Sequence, residues 1–317
     1  DDTAPERGGR RRPLIGLSLA AFVCGGMALA WLASRLAVAR PAAEPWDYEG
    51  FRVGDWARKG YPLCDGHAST GADPPNNQWQ APIDIVDTEL VRTQDALTFT
   101  VVDGGCPNAD MEHDNHTEEV HFGERCQNLK ATWKGRTYTM VQFHFHMESE
   151  NKVNDAHYNG ELHMVHQDES NAVLVVGMFM QLSSGRTTPN DFLLKVFRHG
   201  FDNKLWDNLD PRINPYEGLI EEGAEFYSFL GSLTTPPCTP NVEWVLYKRP
   251  IPTAGDSLSQ LKSFLRNASQ ADSYGHDHRP VQPLNGRTIF VGASGAISPS
   301  RSDSGPPAAG GGSQQWI

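Results

Sequence analysis

The chain has 317 residues, 38% of them hydrophobic, enough for one large all-β or α/β domain or two small ones. A formal net charge of −12 argues against nucleic acid as a partner. The charge is uneven: residues 1–45 carry six Arg against four Asp or Glu, so a basic head precedes a remainder of net −14.

The first residue is Asp rather than Met, which marks a fragment or a processed chain. Residues 1–13 are polar and basic, with Arg7, Arg10, Arg11 and Arg12. Residues 14–33 contain no charge, and that length suits a membrane span better than the apolar core of a signal peptide. The arginines precede the span, so the positive-inside rule places the remainder on the extracytosolic side: extracellular, lumenal or periplasmic. The alternative is a cleaved signal, because Ala37-Val-Ala39 resembles a small-residue cleavage site. Residues 34–45 read as a linker.

The globular domain is expected over residues 46–294. Alternating or apolar runs predict strands at Leu97–Val102, Glu119–Phe122, Thr137–His146, Glu161–His166 and Ala172–Leu182, with a last one at Thr288–Val291. Asp191–His199 and Leu258–Arg266 have the spacing of short surface helices. Residues 295–317 are dominated by Ser, Gly and Pro and are expected to be a disordered tail. The fold class is therefore mainly β with short helices, in a single domain. Of the five cysteines, Cys24 lies in the apolar N-terminal run. Cys64, Cys106, Cys126 and Cys238 can form two disulfides in an oxidising compartment, with three pairings open from the count alone. Asn115-His-Thr117 and Asn267-Ala-Ser269 are glycosylation sequons, informative only if the domain crosses a membrane.

Two of the predicted strands carry polar residues inside apolar runs. Side chains alternate along a strand, so Gln142, His144 and His146 share one face, and Glu161, His163 and Val165 share one face of the second run. His166 takes the opposite face and reads as a hydrogen-bonded core histidine. A His-x-His pair alone is more often structural. A third histidine with its own carboxylate makes the metal reading the stronger one, because three neutral imidazoles with an open fourth position are the ligand set of a catalytic zinc. Gln142 and Glu161 stand where acceptors would fix the tautomers of His144 and His163.

Six motifs, in order, resemble an α-class carbonic anhydrase of the eukaryotic type over roughly residues 46–292: Trp46-Asp-Tyr-Glu-Gly50, Gln80-Ala-Pro-Ile-Asp-Ile85, Gln142-Phe-His-Phe-His146, Glu161-Leu-His-Met-Val-His166, Gly231-Ser-Leu-Thr-Thr-Pro-Pro-Cys238 and Arg279-Pro-Val-Gln-Pro-Leu-Asn-Gly-Arg287. The resemblance implies a central, twisted, mostly antiparallel sheet with zinc at the base of a conical cleft. It implies His144, His146 and His163 as zinc ligands, with Gln142 and Glu161 behind them. Thr234 matches the threonine that accepts a hydrogen bond from the zinc-bound hydroxide and gives its own proton to a buried carboxylate, here Glu150. Thr235 matches a second hydroxyl at the site. Val165, Val175, Leu233 and Trp244 match the apolar wall that holds carbon dioxide. His116 matches the proton-shuttle histidine, expected to be exposed; His113 and His121 are its neighbours. Cys64 with Cys238 matches a disulfide of secreted and membrane-bound relatives, leaving Cys106 with Cys126.

The chain departs from the family pattern at Met147, at Asn151 (where a histidine is common) and at Glu119 (where an amide is usual). The implied activity is reversible hydration of carbon dioxide to bicarbonate and a proton. The alternative is a related ectodomain that only binds or adheres; such proteins typically lack one of the three histidines, and this chain keeps all three.

Overall fold

The structure is a computed structural model that describes residues 45–301 apart from 50–52, 67–77, 115, 123–124, 186, 200–204 and 207–211. The expectations for the N-terminal span, the linker, Cys24 and Asn115 lie outside the described residues, as does the tail beyond residue 301.

Most strands join one large sheet, built by β2 (Val91–Arg92), β3 (Leu97–Val102), β4 (Ala109–Asp114), β5 (Thr117–His121), β6 (Leu129–Trp133), β7 (Arg136–His146), β9 (Gly160–Gln167), β10 (Val173–Leu182), β11 (Leu205–Trp206), β12 (Glu225–Ser232), β13 (Pro240–Thr253) and β14 (Phe290–Ser300). The short β1 (Asp84–Ile85) and β8 (Lys152–Val153) pair apart from it. Pairing is antiparallel except for β10 with β13 and β14 with β2 and β3. The mainly β class and the mostly antiparallel sheet are as expected.

Period-2 alternation divides the sheet's two faces. Leu174, Val176 and Met178 of β10 join Met164, Val245 and Tyr247 in one core. Val175 and Phe179 of the same strand join Tyr227, Phe229, Trp244 and Leu246 in another. Phe143 and Phe145 of β7 are fully buried in the first core, and each contributes about 2 kcal/mol by leaving water. That leaves the alternate residues, the histidines, for the other face.

Among the described residues three α-helices lie outside the sheet: α1 (Val53–Arg58), α2 (Asp191–His199) and α3 (Gly255–Leu265). Asn190 Oδ1 accepts the Leu193 N–H at 3.1 Å and so caps α2. α3 begins a turn earlier than its hydrophobic spacing indicates, and it buries Leu258, Leu261 and Leu265.

The C-terminal boundary needs correction. β14 runs through residues 295–300, which the composition assigned to a disordered tail. They pair in parallel with β3, Ser294 opposite Leu97 and Ser300 opposite Val102, and Ile297 packs on the core. A backbone ladder needs no apolar side chain, so composition does not report it.

His166 is the core histidine its position implies. It is fully buried, its Nε2 lies 2.8 Å from the Tyr216 hydroxyl, and its ring stacks on that tyrosine. Burial pushes its pKa down to about 4 from 6.5. The unfolded chain therefore takes up a proton below pH 6.5 that the folded chain refuses. Stability unaffected by this group at neutral pH is lost as pH falls from 6.5 towards 4, by on the order of 3 kcal/mol. His166→Gln should flatten that part of the pH profile of urea unfolding; an unchanged slope would show that His166 is not its source.

Candidate metal centre

β7 is the pivot of the site. Its residues around His144 pair with β5 on one edge and β9 on the other, with Glu119 and His163 both directly opposite His144. His146 lies two residues further along the same face, opposite Glu161. The three imidazoles converge, with one nitrogen from each within 4.8 Å of the others. His146 and His163 are buried, and His144 is the least enclosed.

The remaining ring nitrogens are each held by an oxygen. His144 Nδ1 is 2.8 Å from Gln142 Oε1, His146 Nδ1 is 2.9 Å from the Asp277 carbonyl, and His163 Nε2 is 2.9 Å from Glu161 Oε1. These contacts fix the tautomers, so His144 Nε2, His146 Nε2 and His163 Nδ1 present lone pairs to one point. Gln142 and Glu161 are where the sequence places them. Asp277 was not foreseen. It lies 131 residues from His146 in the chain, and no local pattern announces a backbone carbonyl as an acceptor.

Behind Glu161 stands Asn151, whose side-chain amide and backbone N–H both donate to the carboxylate at 2.8 Å, while its Oδ1 accepts the Ile83 N–H. Burial opposes ionisation of Glu161, but the His163 ring and the Asn151 donors outweigh it and hold the pKa below the ordinary carboxylate value. Asn151, where a histidine is common in the family, thus supplies two donors to Glu161. Asn151→Ala should weaken zinc binding roughly 10- to 100-fold, the usual cost of removing a group that orients a ligand. Competition against a chelator measures this, and an unchanged affinity would deny Asn151 that role.

The charges around the cluster favour a cation. Burial and the neighbouring histidines push His144 well below its ordinary pKa. Burial presses His146 down too, but the Glu150 and Asp277 carboxylates outweigh it and raise it to about 10. That pull is an attraction for positive charge at His146, which a metal ion satisfies as well as a proton does. His146 Nε2 is buried without a hydrogen-bond partner, and His163 Nδ1 and His144 Nε2 are 3.3 Å apart. The edge of a tetrahedron with zinc–nitrogen bonds of 2.0–2.1 Å is about 3.3 Å. The donor set and its spacing fit zinc.

The other expected residues gather nearby, with two differences. Val175 and Trp244 are buried in the core on the histidine face, with Val165 and Leu233 packed against it, and the Trp244 ring is 5.0 Å from His163. Thr234 is buried and Thr235 half-buried on the loop after β12. Glu150 is fully buried, but the hydrogen bond from Thr234 is not formed. Oε1 accepts the Arg279 N–H at 3.0 Å, and Oε2 accepts none, lying 3.6 Å from His146 Nε2. The second difference concerns His116, which is only 6% exposed: Trp46, at 5.4 Å, and Tyr48 fold over its ring. Glu119 pairs instead with His121, 2.6 Å away.

Both disulfides are formed, Cys64–Cys238 and Cys106–Cys126. The first ties the segment before β1 to the loop that carries Thr234. Asn267, of the second sequon, is exposed at the end of α3.

A mainly β domain with three converging imidazoles on one face of its sheet defines a histidine-ligated metal-binding domain. The chain belongs to the eukaryotic-type carbonic anhydrase family, whose model matches residues 55–293. It is 32% identical to a carbonic anhydrase of Neisseria gonorrhoeae over 67% of this chain and 76% of that one. A solved α-carbonic anhydrase from Thermovibrio ammonificans, in complex with the inhibitor sulfanilamide, superposes with a TM-score of 0.63 at 28% identity, covering 78% of this chain and 98% of that one. Dioscorin complexed with ascorbate shares the fold, with a TM-score of 0.61 at 19% identity over 79% of this chain and 99% of that one.

Proposed function

We propose that the protein is a zinc-dependent carbonate dehydratase that interconverts carbon dioxide and bicarbonate. The observation that carries this reading is the complete triad, with each imidazole's outer nitrogen held by an acceptor. The fold alone does not decide, because function resides in the site. Zinc bound there would supply a nucleophile from water near neutral pH, an established property of this family.

The chain's own residues do the rest. His144, His146 and His163 hold the ion. Val165, Val175, Leu233 and Trp244 offer an apolar wall to a small neutral substrate that has no charge to pair. Glu150 Oε2, buried and accepting no hydrogen bond, is the acceptor available to the single hydroxyl proton of Thr234. With that proton donated, Thr234 could only accept, and so would orient a hydroxyl donor held beside it with that donor's lone pair towards carbon dioxide. Thr235 adds a second hydroxyl at the mouth.

His116 exports the proton, its ring packed at a tilt against Trp46 and Tyr48. His116→Ala should slow turnover at saturating substrate, and added imidazole should restore it in stopped-flow hydration assays. Loss without rescue would move the proton exit to His121 and Glu119. No loss would remove His116 from the mechanism. Membrane anchorage through residues 14–33, with the catalytic domain on the extracytosolic side, completes the reading. Two disulfides in one domain suit an oxidising compartment.

A further inference from the structure

The side chain of Asp277 meets the triad as well as its backbone does. The Asp277 carbonyl is 2.9 Å from His146 Nδ1, and Oδ2 lies 3.3 Å from the same nitrogen. Oδ1 accepts the Met147 N–H at 2.7 Å, and the Asp277 N–H donates to the Met147 carbonyl at 3.0 Å. These two bonds clamp the residue against the end of β7, with its carboxylate fully buried. Oδ2 accepts no hydrogen bond among the described residues. The carbonyl by itself fixes the tautomer of His146, so tautomer control does not account for a buried negative charge, which is costly to leave uncompensated.

The charge balance around the triad does account for it. Among the described residues, three fully buried carboxylates lie against the ligands. Asp277 is at His146, Glu161 is 2.9 Å from His163, and Glu150 is 3.6 Å from His146 Nε2 and 4.0 Å from His163 Nδ1. The buried cation beside them is Arg279, whose backbone N–H reaches Glu150. Three negative charges against one positive leave a surplus of two, the charge of a single dication. Glu161 is also held by its two Asn151 donors, and Glu150 is offset by Arg279. Asp277 Oδ2 has the imidazole of His146 as its charged neighbour.

We propose that the Asp277 carboxylate is a positioning residue for the metal: acting through His146, its negative charge makes the triad a tighter site for a dication than the carbonyl alone would. The proposal rests on the zinc reading of the triad and adds to it a group that touches no substrate. A negative oxygen beside Nδ1–H makes the opposite nitrogen, Nε2, a stronger donor, and Nε2 is the atom that faces the ion. An amide at position 277 could keep the Met147 contact through its oxygen. Its N–H2 group would then face the His146 N–H, so that the charge is gone and two donors meet.

Asp277→Asn therefore separates the charge from the backbone clamp. Zinc dissociation constants of the full chain are measured by competition with a chelator, with cobalt(II) absorption and circular dichroism spectra on matched samples. The Asn variant is expected to fold, to keep the absorption bands of four-coordinate cobalt, and to bind zinc about 10- to 100-fold more weakly than the unaltered chain. Asp277→Ala, which also removes the acceptor for Met147 but adds no donor, should lose at least as much. If the Ala variant is weakened and the Asn variant is not, the side chain serves the Met147 backbone alone and the proposal fails. Equal affinity in all three proteins would likewise overturn it. So would loss of the cobalt bands in the folded Asn variant, because an amide that dislodges His146 acts by shape and not by charge. An unaltered chain that takes up no zinc would overturn the reading of the triad and the proposal with it.

Discussion

His163→Ala is expected to abolish zinc binding and hydration activity together while leaving the fold intact. His163 contributes one of three nitrogens, and no other described His, Cys or carboxylate side chain completes a three-donor group around the remaining pair. Losing one ligand's share of the binding free energy should weaken zinc by at least about 100-fold. The sheet should survive, because Glu161 keeps both hydrogen bonds from Asn151 after its imidazole partner is gone. Zinc content after dialysis and the hydration rate on the same sample measure the two effects. A variant that kept its zinc and its full rate would overturn the ligand assignment.

Arg279→Met is expected to have the largest effect on stability. Arg279 is fully buried. Its guanidinium donates to Gln80 Oε1 at 3.0 Å, to the Ala81 carbonyl at 2.7 Å and to the Cys64 carbonyl at 2.8 Å, and it lies over the Trp56 ring. Burial lowers its pKa to about 10, with the Glu150 charge acting against that, so it remains a cation at neutral pH. Methionine would take their donor from the Ala81 and Cys64 carbonyls, leave Gln80 Oε1 with the Ser232 hydroxyl alone, and leave Glu150 without its nearby cation. Breaking such a buried charged network costs about 3–5 kcal/mol, which in a domain of this size lowers Tm by roughly 10 °C. Arg279→Lys should not rescue it, because an ammonium group cannot span three separated acceptors. Thermal unfolding measures this; a Tm within ~2 °C of the unaltered protein would show that the web around Arg279 does not hold the domain together.

That web also explains why separated motifs occur together. Gln80 and Arg279 belong to stretches almost two hundred residues apart, and Gln80 also reaches the Cys238 carbonyl and the Ser232 hydroxyl beside the Thr234 loop. A sequence displays such residues as motifs without displaying the contact between them.

Legibility followed locality. The triad faces and the roles of Gln142 and Glu161 depend on a period of two within single strands, so they could be read directly. The acceptor for His146 depends on a distant backbone carbonyl, and the cover over His116 depends on Trp46 and Tyr48 from another part of the chain; neither leaves a local trace. The central strands β12 and β13 leave no clear strand signal in the sequence, although they carry Trp244 and lead into Thr234. β13 includes Pro240, Pro250 and Pro252, which weaken its strand signal, and strands buried on both faces do not alternate cleanly. Residues 295–300 were misassigned because Ser, Gly and Pro dominate a stretch that is held by backbone pairing.

The most direct measurement is stopped-flow carbon dioxide hydration by the full chain carrying one zinc. The account predicts a rate proportional to protein concentration, lost when the zinc is removed and regained when it is restored. Folded, zinc-bound protein with no rate above buffer would contradict it and leave a binding domain built on a carbonic anhydrase fold.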